Sequence, residues 1–426
     1  MKIYVIKRDG RKVPFKKDLI LNAITAAGKE VYAQDTKDLD RFLVVANYMT
    51  DDIVLSIKHK LTEKGNNSVE VEAIQDIVEN ELLESDYPKV AQAYIRYRQK
   101  RTDERQRVSE IFQIIKEKLE ASNVVNQNAN VDEHSFGGRA GEAKNAVLKD
   151  YALRYCMSPM SRNNHENNEI YVHDLDSYAV GMHNCLSVPF DDLLANGFNT
   201  RQTDVRPAKS VNTAMQLVAV IFQLQSLCQF GGVAATHLDW TMVPYVRLSF
   251  NKHFNTGLSF LYDKTPAPKM DDNKIREVSI DSNEYKKYPK AYKYATDMTT
   301  KEVYQAVEGM YHNLNTLQSR SGNQLPFTSI NYGTCTLTEG RMVIKALLDA
   351  SIKGIGKLYR TPIFPCGIFQ YMKGVNDKPG TPNYDLFRLA LKSTSKRLYP
   401  NYCNVDWSGN EGYDRNDPRT YTATMG

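Results

Sequence analysis

A thiol and a knot of cations are the two places where residue types and spacing in this sequence could do chemistry. The run His183-Asn184-Cys185-Leu186-Ser187-Val188-Pro189-Phe190 places a cysteine at the head of an apolar stretch, with Asp174 and Asp176 shortly upstream. A cysteine beside an apolar strand has two readings: an inert buried residue, or a reactive thiol set among polar groups. The carboxylates, imidazole and amide gathered near Cys185 favour the second. Near the N-terminus, Lys7, Arg8, Arg11 and Lys12 crowd around Asp9-Gly10, a pair that favours a two-residue hairpin turn between short β-prone runs. Such a cluster is either a solvated face or a phosphate site. Lysine would serve there as a point charge and arginine as a planar fork.

Other chemistries find little support. Cys156, Cys228, Cys335, Cys366 and Cys403 are widely scattered, with no C-x-x-C pair and no Cys/His spacing suited to zinc, so they read as buried or incidental thiols and no metal site is expected. Fifty-five basic residues face 50 acidic ones, a net charge of +5 that is too even for a general nucleic-acid binder. No apolar run of membrane-spanning length occurs, and Met-Lys-Ile-Tyr-Val-Ile-Lys-Arg is no secretory leader, so a cytoplasmic location and no membrane partner are expected.

The elements that must position these groups follow from periodicity. Residues 1 to 14 read as a β-hairpin; Leu19, Ile20, Ala23, Ile24, Ala27 and Val31 then keep helical spacing. A second helix spans about 39 to 60 with Phe42, Leu43, Ala46, Met49, Ile53 and Ile57 inward, closed by Gly65-Asn66-Asn67. Helices over 71 to 83 and 89 to 105 complete a hairpin-capped module of residues 1 to 100. Residues 101 to 124 form a charged helical linker running into an Asn-rich turn, and the second domain covers 125 to 426. That domain mixes helices over 210 to 229, 300 to 319 and 341 to 352 with strand-like runs at 169 to 173 and 362 to 365, an α/β pattern. Lys264 to Lys290 reads as an exposed excursion.

In order and spacing, Lys-Arg-Asp-Gly-Arg, Val-Pro-Phe, a first helix and Tyr94-Ile95-Arg96-Tyr97-Arg98 resemble the ATP cone, the regulatory nucleotide module of many ribonucleotide reductases. The resemblance implies that Val5, Lys7, Arg8 and Lys16 or Lys17 contact ATP or dATP. The segments Asn130 to Gly138, His183 to Phe190, Gln229 to Ala234, Leu325 to Gly333 and Pro362 to Pro365 resemble the anaerobic, glycyl-radical class of ribonucleoside-triphosphate reductase, so that essentially the whole chain is covered. This implies the first half of a ten-stranded α/β barrel and ribonucleoside triphosphates as substrates. It also implies a homodimer, an iron-sulfur S-adenosylmethionine activase and deoxynucleotide effectors. Cys185 matches the first-strand cysteine expected to assist proton and electron transfer as the ribose 2′-hydroxyl leaves, with His183 and Asn184 as neighbours. Gln216 and Gln223, on the helix where such enzymes pair subunits and bind effector, are possible contacts; ordinarily they are the polar face of an amphipathic helix. Gly231-Gly232 reads locally as a helix end or a close-packing site.

Thr422 to Gly426 resembles the approach to the family's Met-Gly-Cys-Arg loop, so the radical cysteine, the zinc site and the radical glycine are expected beyond the chain. An intron, intein or inserted gene would explain such a break. The resemblance therefore implies a reductase portion that needs its C-terminal part for turnover. The alternative is a nucleotide-sensing protein without catalysis; a relative of pyruvate formate-lyase is disfavoured by the resemblance to the cone, and also because no Cys-Cys pair occurs.

Overall fold

The computed structural model describes residues 2–63, 65–120, 135–181, 183–264, 271–320, 323–407 and 412–421. The expectations for 123–134 and for 422–426 lie outside the described residues. The chain divides into two compact units, Met1–Gln113 and Ile114–Gly426.

In the first unit, strands Tyr4–Ile6 and Lys12–Pro14 pair antiparallel, with Val5 opposite Val13. The turn between them is wider than Asp9-Gly10 suggests. Lys7 and Arg11 close it by a 2.9 Å backbone bond, and the Asp9 carboxylate accepts from the Arg11 amide and guanidinium at 3.1 and 2.7 Å. Gly10 supplies the left-handed residue, φ +78°, that this longer turn needs. A third strand, Ser68–Glu70, adds parallel to the first. Helices Lys17–Val31, Thr36–Glu63 and Val71–Glu84 follow the expected periodicities, except that Leu19 points to solvent. Ile20, Ile24, Phe42, Ile53, Ile57, Val78, Leu82 and Val90 form their shared core. The helix expected over 89 to 105 and the charged stretch after it are one helix, Pro88–Glu120. Arg98 ties this helix to Val71–Glu84 through Glu72, Asp76 and Glu79, each at 2.9 Å.

The second unit is built on a five-stranded parallel sheet. Its strands, Leu186–Ser187, Val233–Ala235, Thr328–Tyr332, Cys366–Tyr371 and Asn401–Asn404, lie side by side in chain order. Each connection carries one or more helices, chiefly Val211–Ser226, Val243–Tyr262, Pro289–Leu314, Thr338–Lys353 and Tyr384–Arg397. Right-handed crossovers that always step to the next position give an arc of β/α units, and such an arc covers one face with helices. That face is the core: Val233, Ala235, Ile330, Tyr332 and Phe369 pack on Met215, Phe222, Val246, Tyr311 and Leu347. The opposite face carries Ala234, Ser329, Asn331, Ile368 and Gln370, as strand alternation requires.

Three local expectations are corrected. Glu169 to His173 is not a strand: Asn168 and Asp174 hold left-handed φ of 60° and 52° at its ends, and His165 Nδ1 accepts from the Val172 amide at 3.2 Å. Pro362 to Pro365 only leads into the strand that begins at Cys366. The described part of the excursion is docked, with helices Asp272–Glu277 and Asn283–Lys286 burying Ile275, Ile280 and Tyr285. Among the described residues, no helix is long and apolar enough to cross a membrane.

Candidate functional site

Cys185 stands one residue before the first strand of the parallel sheet. Because Leu186 lies opposite Val233, the cysteine faces Gly232, whose amide points at Sγ from 3.4 Å. The thiol also lies 3.5 Å from Asn184 Oδ1. Gly231 donates its N–H to the Asn184 carbonyl at 3.0 Å, and a Cβ at Gly231 would fall 2.4 Å from that oxygen. The glycine pair is therefore a close-approach site rather than a mere helix end. His183 pairs with Gln229 through its backbone while the residue itself is exposed.

Beside this strand end opens a cleft of about 810 Å³, lined among others by Asp174, Asp176, Asn184, Gln229, Arg320 and Phe327. The two carboxylates singled out from sequence thus share one cleft with Asn184, the neighbour of the thiol. Arg320 was not singled out; it comes from a loop without periodicity, just before the Leu325 to Gly333 segment. Burial pushes its guanidinium pKa down, while Asp174, Asp176 and Cys185 pull it up. Of the other thiols, Cys335 and Cys366 are buried, with pKa values raised mainly by burial. Cys403 is half-buried, and Cys156 and Cys228 are exposed.

A second cavity, of about 280 Å³, opens beyond the other ends of the first two strands, where α/β sheets commonly place functional groups. His237 lies between Thr236 Oγ1 at 2.6 Å and Asp191 Oδ2 at 2.8 Å, and Thr241 donates to Asp191 Oδ1 at 2.6 Å. Sequence reading missed this constellation because Asp191 and His237 are 46 residues apart. Burial pushes the Asp191 pKa up, but the bonds from His237 and Thr241 outweigh it and leave the value below the usual carboxylate range. A folded value below the unfolded one means stability that is present above about pH 4 and lost as pH falls through the folded value. Urea midpoints measured between about pH 6 and about pH 3 are therefore expected to fall less steeply in Asp191→Asn than in the parent.

In the first unit, Val5 is buried and can offer a ligand only its backbone. Arg8 is ion-paired with Glu72 and Lys17 with Asp51, whereas Lys7 is half-buried and Lys16 is exposed. Lys16 occupies the N-cap position of helix Lys17–Val31, which no side-chain hydrogen bond caps. In that first turn the Leu19 amide bonds the Lys16 carbonyl at 3.3 Å, and the Lys17 and Asp18 amides ahead of it, flanked by cations, suit an anion. A separate pocket of about 120 Å³ is lined by Arg8, Gln75, Tyr94, Tyr97, Arg98 and Arg101, among others. Only Arg8 of the five expected contacts lines it. The Tyr94 hydroxyl there donates to Gln75 Oε1 at 3.0 Å, and burial pushes its pKa up to about 12.

On helix Val211–Ser226, Gln216 is exposed, while Gln223 is engaged with Asn313 Oδ1 at 3.0 Å. No group of three or more metal-ligating side chains lies together among the described residues.

Residues 127–426 match the family described as anaerobic ribonucleoside-triphosphate reductase, and residues 3–103 match the ATP cone domain. The anaerobic ribonucleoside-triphosphate reductase of Escherichia coli K12 is 32% identical over 406 residues, covering 95% of this chain and 51% of the relative. That of Enterobacteria phage T4 is 32% identical over 282 residues, covering 65% of this chain and 41% of its own length. The chain spans about half the length of the cellular anaerobic reductases it matches. Among solved structures, the anaerobic ribonucleotide reductase from Thermotoga maritima in complex with dATP and CTP aligns with a TM-score of 0.44 at 14% identity. It covers 71% of this chain and 48% of that one.

Proposed function

Since the chain belongs to the anaerobic ribonucleoside-triphosphate reductase family, we propose that it supplies the nucleotide-sensing module and the first-strand thiol of an enzyme that reduces ribonucleoside triphosphates. The observation that carries this reading is the family match across residues 127–426, which includes Cys185 at the head of the parallel sheet. Cys185 is the group that moves a proton and an electron as the substrate 2′-hydroxyl leaves. Sulfur suits both tasks, because a thiol gives up a proton near neutral pH and forms disulfides reversibly. Asn184 and the Gly232 amide orient the thiol.

The sheet is read as one arc of the ten-stranded barrel. Turnover is proposed to need the C-terminal part of the reductase, a radical-generating activase and a homodimer. A glycyl radical in that C-terminal part would store the radical, and a cysteine there would abstract the substrate hydrogen as its thiyl. The described side chains offer no ligand set for zinc, so no step is assigned to a metal.

The first unit is read as the sensor for ATP and dATP, with Lys7 and Lys16 meeting phosphate, and Gln216 is retained as a deoxynucleotide contact. Lys16→Ala is expected to weaken ATP binding by about tenfold, the order of one lost charge-assisted hydrogen bond. Calorimetric titration of the 426-residue chain tests it, and unchanged affinity would remove Lys16 from the site. A nucleotide sensor without catalysis is the second reading, favoured by the self-contained core of the first unit.

A further inference from the structure

We infer that Arg320 is a positioning residue for Cys185, acting through the Phe230-Gly231-Gly232 turn. The inference rests on the reading of Cys185 as the reductase thiol.

The turn reaches the thiol through two consecutive amides. Gly231 N–H bonds the Asn184 carbonyl at 3.0 Å, and Gly232 N–H faces Sγ at 3.4 Å. This approach is possible only without a side chain, since a Cβ at Gly231 would meet Asn184 Oδ1 at 2.3 Å. Two amides can point at one neighbouring strand end only if the peptide planes before them are fixed. The preceding carbonyl, that of Phe230, accepts from the Arg320 guanidinium.

Arg320 is itself held in place. Its guanidinium lies over the Phe327 ring, 6.0 Å from the centroid, and its amide bonds the Gln324 carbonyl at 3.1 Å. The Phe327 carbonyl in turn accepts from Val233 N–H at 2.9 Å. The segment from Phe230 to Val233 is thus gripped at its first carbonyl and its last amide by the same loop, and the thiol sits against the middle. Removing the guanidinium leaves the Phe230 carbonyl without its donor and lets the turn rotate, which costs the order of one hydrogen bond locally and little elsewhere.

Amide hydrogen exchange of the 426-residue chain, read on peptides spanning Gln229 to Ala235, tests this without any turnover. A failure here is therefore separable from a failure of the reductase reading. Arg320→Met keeps an apolar stem over Phe327 and removes every donor; Arg320→Lys restores one. In Arg320→Met the Gly231 and Gly232 amides are expected to exchange about tenfold faster, while Gly333 and Cys335, bound to Asp239, keep their protection. Arg320→Lys is expected to recover most of the protection. Unchanged exchange in Arg320→Met, equal loss in both variants, or loss that spreads to Gly333 and Cys335 would each overturn the assignment.

Discussion

Arg247→Met is expected to destabilise the second unit by about 3–5 kcal/mol, the cost of leaving a buried charge without its partner. Glu339 is fully buried, and its Oε1 accepts from Arg247 Nε at 2.8 Å and from the Ile280 amide at 3.0 Å. Arg247 also donates to the Arg276 carbonyl at 2.8 Å. One ion pair thus joins helix Val243–Tyr262, helix Thr338–Lys353 and the docked excursion. Methionine fills much of the volume of the arginine stem but supplies no donor. Pairing it with Glu339→Leu removes the stranded carboxylate and is expected to restore most of the loss. Recovery stays incomplete, because the Ile280 amide then lacks its acceptor, at about 1–3 kcal/mol. Both tryptophans, Trp240 and Trp407, belong to the second unit, so urea unfolding followed by fluorescence reads the right half of the chain. A single variant as stable as the parent would show that the pair contributes nothing.

Much of the scaffold was legible because period and burial coincide. Ile20, Ile24 and Ala27, or Phe42, Ala46, Met49, Ile53 and Ile57, repeat at helical spacing, and those residues form the core of the first unit. The long helices of the second unit were legible for the same reason, whereas neither run read there as a strand, at 169 to 173 and 362 to 365, is one. Short elements were not: Ser68–Glu70 is a three-residue strand that exists only because Tyr4–Ile6 pairs with it. Glu169 to His173 has strand-like composition, yet its left-handed ends and a side-chain bond fold it otherwise.

At the sites, residue type was legible and partnership was not. Sequence marked Asp174, Asp176 and Asn184, and the structure lines one cleft with them. Arg320 reaches the same place from more than a hundred residues away, and nothing local distinguishes it from a surface arginine. Arg8 and Lys17 looked equivalent to Lys7 and Lys16; the difference is that Glu72 and Asp51, on other helices, are already paired with the first two. Charge density in a sequence shows where cations are, whereas packing decides which remain available to a ligand.

The largest functional effect is expected at Cys185. Serine keeps the size and the hydrogen-bonding capacity of the side chain, so the Gly232 amide retains an acceptor and the strand end keeps its shape. What serine lacks is the readily lost proton and the reversible redox chemistry of sulfur. Cys185→Ser is therefore expected to fold as the parent does, to bind ATP through the first unit as the parent does, and to lose reductase turnover to background.

The most direct measurement is anaerobic conversion of a ribonucleoside triphosphate to its deoxy form. The chain would be combined with a polypeptide carrying the remainder of a family member and with its activase, and parent and Cys185→Ser compared side by side. ATP-responsive product is expected from the parent and none from Cys185→Ser, with ATP affinity equal in the two. Equal product from both proteins, or no product from a parent chain shown to be assembled with an activated partner, would contradict it.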